Sequence, residues 1–461
     1  MHSADLVIRN CDQIITPNGP APKRRKSMSR VSVTNKGFIA SKNGTIIEIG
    51  QEAEFKKKIR LEKGGNEIDG TGMTAAPGFI DSHTHLPFAG SREHEFSLRI
   101  QGATYQELAA QGMGIQTTVN ATRLINKEEL TSLCLKRLDS MLLHGATVVE
   151  AKSGYGLNLV DEIKQLEALK DANAFHPIDI IPTFLGAHEV PKEYKTKKKE
   201  YINLLTHFIL PEVKKKNLAV FFDVFCEEGV YSLEETRKLT QTALNAGFKL
   251  RIHVDEFVPL GGTELAAELK AASADHLIAI TDKGINSLAS SSTVATLLPG
   301  VSFFLMLDKK APARKLIDMG VAVALATDFN PGSSMTESML FIMQLGVYSL
   351  RMTIEEALTA VTLNPAFSLG LEDRVGSLEK GKDMDLVLFD APNYHYIVYH
   401  FGVNTVKYVI KKGEIVVKDG ILEKSEDRRW KKENQKIEDR KPKMARGKRL
   451  RVKNQKIEVK R

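Results

Sequence analysis

The chain has 461 residues, 42% of them hydrophobic and 26% charged, the balance of a globular enzyme with one large domain and a smaller one. No apolar run is long enough to span a bilayer, "MHSADLVIRN" lacks the basic and apolar blocks of a secretory signal, and three scattered cysteines (Cys11, Cys134, Cys226) argue against a disulfide framework, so the expected location is the cytoplasm. The net charge of +8 is unevenly spread: residues 424–461 hold 17 Lys and Arg against 6 Asp and Glu, or +11, which leaves −3 for residues 1–423.

In chain order, "ADLVIRNCDQIIT" (residues 4–16) alternates in the manner of a strand. The Pro- and Lys-rich stretch 17–30 reads as a solvated loop. "GFIASKNGTIIEIG" (37–50) predicts a hairpin turning on Asn43-Gly44. Eight short β-like runs then alternate with helical stretches, at 75–83, 146–154, 178–186, 220–228, 248–257, 273–280, 293–300 and 321–329; segments 126–144 and 232–247 are amphipathic. Strand-like "DMDLVLFD" (383–390) and "VKYVIKKGEIVVKDG" (406–420) follow. The pattern predicts an α/β fold: a (β/α)₈ TIM-like barrel over 71–370, with a small β-sandwich domain built from both ends of the body, 1–70 and 371–423, and a basic tail at 424–461, disordered or a solvated helix.

Such barrels carry their chemistry at the C-terminal ends of the strands, and polar residues collect there: His83, His85, Lys152, His188, His253, Glu256, His276 and Asp328. In an extended chain, residues i and i+2 point the same way, so His83 and His85 aim together into the barrel mouth. Alone, such a pair is read as chance or a hydrogen-bonded couple; ligand-type residues on later strands change the balance. "KLRIHVDEF" puts Arg251, His253 and Asp255 on one face, and "VALATDFNPGSS" ends a strand on Asp328, whose competing role is a helix N-cap. Three imidazoles and a carboxylate suit one divalent metal, zinc or a similar ion, which brings the pKa of a bound water from ~15.7 to ~7. Glu256 is placed as proton shuttle or substrate anchor against the alternative of a surface carboxylate, and His276 as a group steadying the developing oxyanion or as a packed core histidine. Lys152 is read as a salt bridge rather than a carbamylated metal bridge.

"PGFIDSHTH", "HVDE" and "ATDFNPG" resemble the metal-dependent amidohydrolase superfamily. With "HTHLPFAGSREHEF", "GATYQELA", "EAKSGYGL", "FLGAHEVP" and "DVFCEEGV", the chain from about Ala4 to about Gly420 is similar to the imidazolonepropionase family within it. That resemblance implies hydrolysis of 4-imidazolone-5-propanoate to N-formimidoyl-L-glutamate by a metal-activated water, and a homodimer. It implies zinc or iron on His83, His85, His253 and Asp328, with Glu256, His276 and Asp328 as catalytic groups. It implies substrate contacts from Arg92, Tyr105, Tyr155 and His188, and from Glu256, Asn330, Gly332 and Ser333. The chemistry agrees: Arg92 offers a planar fork for a propionate, Tyr155 between Gly154 and Gly156 is expected on a mobile loop over a pocket, and "NPGSS" is expected to cradle an anion with its amides.

Where the family shows three glycines in a row, the chain has Gly112-Met113-Gly114, which strains the loop near Tyr105 if the middle residue needs φ > 0. The tail repeats "NQKIE" at 434–438 and 454–458, and with Trp430 it offers weak phosphate contacts to nucleic acid or another acidic surface. Two other readings compete. A deaminase acting on a nucleobase-like ring shares the metal set but needs no carboxylate clamp. A non-enzymatic barrel working through its tail would be indifferent to chelators.

Overall fold

The computed structural model describes residues 1–102 and 113–423; Tyr105, Gly112, Trp430 and the basic tail lie outside them. Eight parallel strands form the barrel: β1 (Phe79–Asp81), β2 (Ala146–Lys152), β3 (Asp179–Ala187), β4 (Phe221–Cys226), β5 (Lys249–Val254), β6 (Ser273–His276), β7 (Val294–Leu297) and β8 (Val323–Leu325). The ring closes beyond β1 and β8, where Asp328 N–H donates to His83 O and His85 N–H to Phe329 O, both at 3.0 Å. Closure therefore draws the chain that follows β1 against the chain that follows β8.

Intervening helices return each strand to the same starting end, and their first turns are written in the sequence. Asn126 accepts from Glu129 N–H ahead of the helix Lys127–Leu143, and Ser232 forms a capping box with Glu235 ahead of Leu233–Asn245. Fully buried side chains such as Leu138, Leu142 and Leu239 seat these helices on the barrel, each contributing about 1.5–3 kcal/mol of burial.

Run 75–83 divides at Gly78. Thr74–Pro77 joins the second sheet and Phe79–Asp81 the barrel, and a Cβ at Gly78 would collide with Thr147. The second sheet takes strands from both ends of the body. His2–Pro17, Val31–Lys42, Thr45–Gln51, Ile59–Asp69 and Thr74–Pro77 combine with Leu386–Phe389, Val406–Lys411, Glu414–Lys418 and Ile421–Leu422. Asn43 (φ 50°) and Gly44 (φ 78°) turn the hairpin. The sheet curls on itself, since Ile46 N–H donates to Lys382 O (2.8 Å) and Met384 N–H to Gly44 O (2.7 Å); Ile8, Ile39, Leu386 and Ile410 fill the fold.

Segment 17–30 is not the solvated loop expected from its charge. Met28 is fully buried, Thr359 Oγ1 donates to Met28 O (2.8 Å), and Arg24 donates to Gly320 O (3.1 Å) and Ser291 O (2.6 Å). Its arginines answer carbonyls left without partners at helix C-termini, where a cation is favoured. Met113 has no positive φ, whereas its neighbour Gly114 does (φ 94°). Among the described residues no helix is long and apolar enough to cross a membrane.

Candidate metal centre

The barrel's closure brings His83, His85, His253 and Asp328 together. Asp328 Oδ1 lies 3.3 Å from His83 Nε2 and 3.2 Å from His85 Nε2, and the Nε2 atoms of His85 and His253 are 3.5 Å apart. All four residues are 2% exposed or less. His83 Nε2 and Asp328 Oδ1 have no hydrogen-bond partner among the described residues. Buried polar atoms left so are costly unless something joins them. Two overlapping triads, His83–His85–His253 and His83–His276–Asp328, each bring ligand atoms within 4.8 Å of one another, a spacing that fits a divalent cation. Asp328 divides its work: Oδ2 accepts from Asn330 Nδ2 (3.0 Å) and Ser333 Oγ (3.1 Å), which leaves Oδ1 to the histidines.

The opposite edge of two imidazoles is also held. Asp275 Oδ2 sits 2.7 Å from His83 Nδ1, and Asp223 Oδ1 lies 3.1 Å from His253 Nδ1. A proton on each Nδ1 leaves a lone pair on Nε2. Lys152, fully buried, bridges Glu150 (2.8 Å) and Asp223 (3.0 Å), so it is a salt bridge below the cavity. Arg251, also fully buried, donates to Ser82 O (2.8 Å) and faces Asp275 at 3.6 Å. Burial alone would push the Asp275 carboxyl up, but Arg251 and His83 hold it well below the usual carboxylate range. Burial and Lys152 push His83 down, yet Asp275 and Asp328 win and its pKa rises to about 9. The site thus draws positive charge to His83 Nε2. Burial pushes His85 down to about 4. Burial also lifts Asp81 to about 7; its carboxyl takes Thr327 N–H (3.1 Å) and Oγ1 (2.6 Å) and anchors the chain just before Asp328.

A cavity of about 620 Å³ opens above this cluster. Arg92 lines it; its Nε donates to Glu95 Oε2 (2.7 Å), and Glu95 Oε1 accepts from Gly114 N–H (3.1 Å) and Thr117 Oγ1 (2.8 Å). The far edge of the guanidinium lies on Gly332, where a Cβ would strike Arg92 Nη1. Tyr155 and His188 form another wall. The His188 ring stacks on His85 (4.8 Å between centroids), and its Nδ1 meets Gly154 O at 3.1 Å. Glu256 Oε2 stands 3.5 Å from His276 Nδ1. Burial, reinforced by Asp328 and Glu227, pushes the Glu256 carboxyl well above its usual range and so favours its protonated form.

Three expectations are corrected by this geometry. The Tyr155 loop is pinned rather than mobile. Glu162 Oε1 accepts from Gly156 (2.9 Å) and Leu157 (2.8 Å), Gln165 Oε1 accepts from Tyr155 (3.1 Å), and Tyr155 is 3% exposed. The "NPGSS" amides form no open cradle, because Asn330 Oδ1 already takes Gly332 N–H (2.8 Å) and Ser333 N–H (2.9 Å). Asp255 leaves the His253 face: at φ 51° it turns its carboxylate to Thr263 Oγ1 (2.6 Å). The sequence reading also passed over Asp223, Asp275, Glu150 and Glu227 as working groups. Their signal is an acid set inside an otherwise apolar strand or at its end, as in "FFDVFC" and "SADH".

A model of the amidohydrolase family matches residues 74–416. The chain is similar to an imidazolonepropionase of Alkaliphilus oremlandii, 48% identical over 417 residues that cover 90% of this chain and 99% of that protein. It is likewise similar to an imidazolonepropionase of Treponema denticola, 49% identical over 387 residues, 84% of this chain and 93% of the other. Among solved structures it is similar to an adenosine deaminase from Xanthomonas campestris with bound zinc, with a TM-score of 0.68 at 17% identity over 95% of this chain and 98% of that one. At that identity the likeness speaks for the fold alone.

Proposed function

The chain belongs to the amidohydrolase family, in its imidazolonepropionase branch, and on that premise we propose that it hydrolyses 4-imidazolone-5-propanoate to N-formimidoyl-L-glutamate in histidine degradation. The observation that carries the reading is Arg92, seated in the same cavity as the histidine cluster with its Nε tied to Glu95 and its Nη edge turned to Gly332. A propionate needs such a fork, and a neutral nucleobase does not.

His83, His85, His253 and Asp328 would hold the metal, zinc or iron; when bound, it supplies Lewis-acid charge and acidifies a water. Arg92 fixes the propionate, with Tyr155 and His188 walling the ring. Asn330, Gly332 and Ser333 shape the wall on which Arg92 rests and fix the aim of Asp328. In the reaction, water oxygen adds to the ring carbonyl carbon and passes one proton to the Asp328 carboxylate, the carbon–nitrogen bond opens, and the carbonyl becomes the second carboxylate as the new acid releases the other proton to solvent. Glu256, whose buried carboxyl is biased toward its protonated form, gives a proton to the departing nitrogen, and His276 beside it steadies the charge growing on the carbonyl oxygen.

The reading includes a homodimer and a cytoplasmic location, the latter in keeping with three free, buried cysteines. The basic segment 424–461 has the composition for weak phosphate contacts, which a salt-dependent gel shift reads. The test of function is loss of the imidazolone's ultraviolet absorbance on adding purified, metal-analysed protein. Steady turnover supports the reading; a metal-loaded protein that leaves the compound intact and deaminates a nucleobase instead overturns it.

A further inference from the structure

The "DVFCEE" segment puts no donor on the metal cluster, yet two of its acids reach across to the next strand. β4 and β5 pair with His253 beside Phe225 and Val254 beside Cys226. Asp223 on β4 meets His253. Glu227, one residue past β4, does something different: its Oε2 accepts from Phe257 N–H and its Oε1 from Val258 N–H, both at 3.0 Å. Oε1 also accepts from Glu228 N–H (3.2 Å). Glu227 is 4% exposed, and these amides, rather than a cation, are its partners among the described residues.

The amides of Phe257 and Val258 follow directly after Glu256. On the other side, Asp255 is tied to Thr263. The root of Glu256 is therefore clamped before and after, while the ion-pair contact of its carboxyl among the described residues is His276 at 3.5 Å. With so little holding the carboxyl itself, the backbone sets its aim. A neutral Asn or Ser would serve to cap two amides. A buried carboxylate there costs free energy and disfavours ionisation of Glu256, which is reasonable where a proton-carrying group must be held in place.

We propose that Glu227 is a positioning residue for proton transfer: by binding the amides of Phe257 and Val258 it fixes the Glu256 carboxyl over the cavity. The proposal rests on the reading of Glu256 as the group that delivers the proton. Glu227→Gln keeps the size and removes one acceptor and the charge. In metal-replete enzyme it lowers kcat about tenfold, holds KM within about twofold and leaves bound metal unchanged, as expected for a misaimed proton donor. In a Glu256→Gln background the same change has no further effect on kcat beyond about twofold, because residues acting as one unit are not additive.

Hydrogen exchange at Phe257 and Val258, read on metal-loaded protein without substrate, is faster in Glu227→Gln. Additive losses in the double variant, loss of metal that accounts for the lost activity, or unchanged exchange at these two amides each overturn the proposal. Should wild-type protein fail to open the imidazolone, the functional reading falls. The exchange measurement needs no substrate and separately decides the clamp: acceleration upholds it and no change removes it.

Discussion

Gly332→Ala adds one methyl group, and the structure says where it goes. A Cβ on residue 332 would collide with Arg92 Nη1. Gly332 has no positive φ, so alanine brings no backbone strain of its own. The arginine cannot simply slide away, because its Nε is bound to Glu95 Oε2 at 2.7 Å, and Glu95 is held in turn by Gly114 and Thr117. The guanidinium must turn its Nη edge from the cavity or give up Glu95. Either move weakens one charge-assisted contact to the substrate carboxylate, worth about 1.5–3 kcal/mol. At about 1.4 kcal/mol per factor of ten, KM rises on the order of 10–100-fold. Carboxylate binding is common to ground and transition states, so kcat stays within about threefold. Initial rates of imidazolone loss across substrate concentration give both constants for Gly332→Ala, Arg92→Met and the pair. The double variant should match Arg92→Met alone. An unchanged KM in Gly332→Ala, or losses that add in the pair, would show that Arg92 does not grip the carboxylate from this wall.

Asp275→Ala removes the partner of His83 Nδ1 and leaves Arg251 without its nearest carboxylate; competition with a chromophoric chelator should show metal held about 10–100-fold more weakly. Glu162→Ala strips two buried amides of the Tyr155 loop, each costing about 1–3 kcal/mol unpaired; Tm falls and KM rises, and an unchanged KM would mean the loop does not shape the pocket. Asp179, at the start of β3, pairs with Lys411 (3.0 Å) and Lys412 (2.8 Å); burial opposes its ionisation, but these lysines hold its pKa below the ordinary value. A depressed folded pKa gives stability that is complete above the unfolded value of about 3.9 and vanishes as pH falls through the folded one. The Tm deficit of Asp179→Asn is therefore largest near neutral pH and shrinks below about pH 4, as a thermal-melt series will read.

How much was legible follows the range of the forces concerned. The hairpin at Asn43-Gly44 and the starts of helices at Asn126 and Ser232 depend on neighbours a few residues away, so they could be read directly. Chain chemistry near residues 17–30 misled for the opposite reason. A run of Lys and Arg looks solvated until distant helix ends present carbonyls to Arg24. Tyr155 looked mobile between two glycines, but Glu162 and Gln165, on the following helix, hold its loop. Gly156 serves close packing there, since a Cβ would meet Glu162 N.

Alternating apolar strands and amphipathic helices were enough to determine a parallel barrel, because burying both faces of such a sheet leaves few other arrangements. A barrel gathers the ends of all its strands around one mouth, so the sequence alone groups His83, His85, His253 and Asp328. Which atoms face which was decided only on closure. The choice of Nδ1 or Nε2 on His83, the approach of Asp328 Oδ1 to His83 and the grip of Glu227 on the Phe257 amide depend on contacts between segments far apart in the chain. Such bonds form or fail over a few tenths of an ångström, a scale set by packing around the whole ring and not by the kind of residue at any one position.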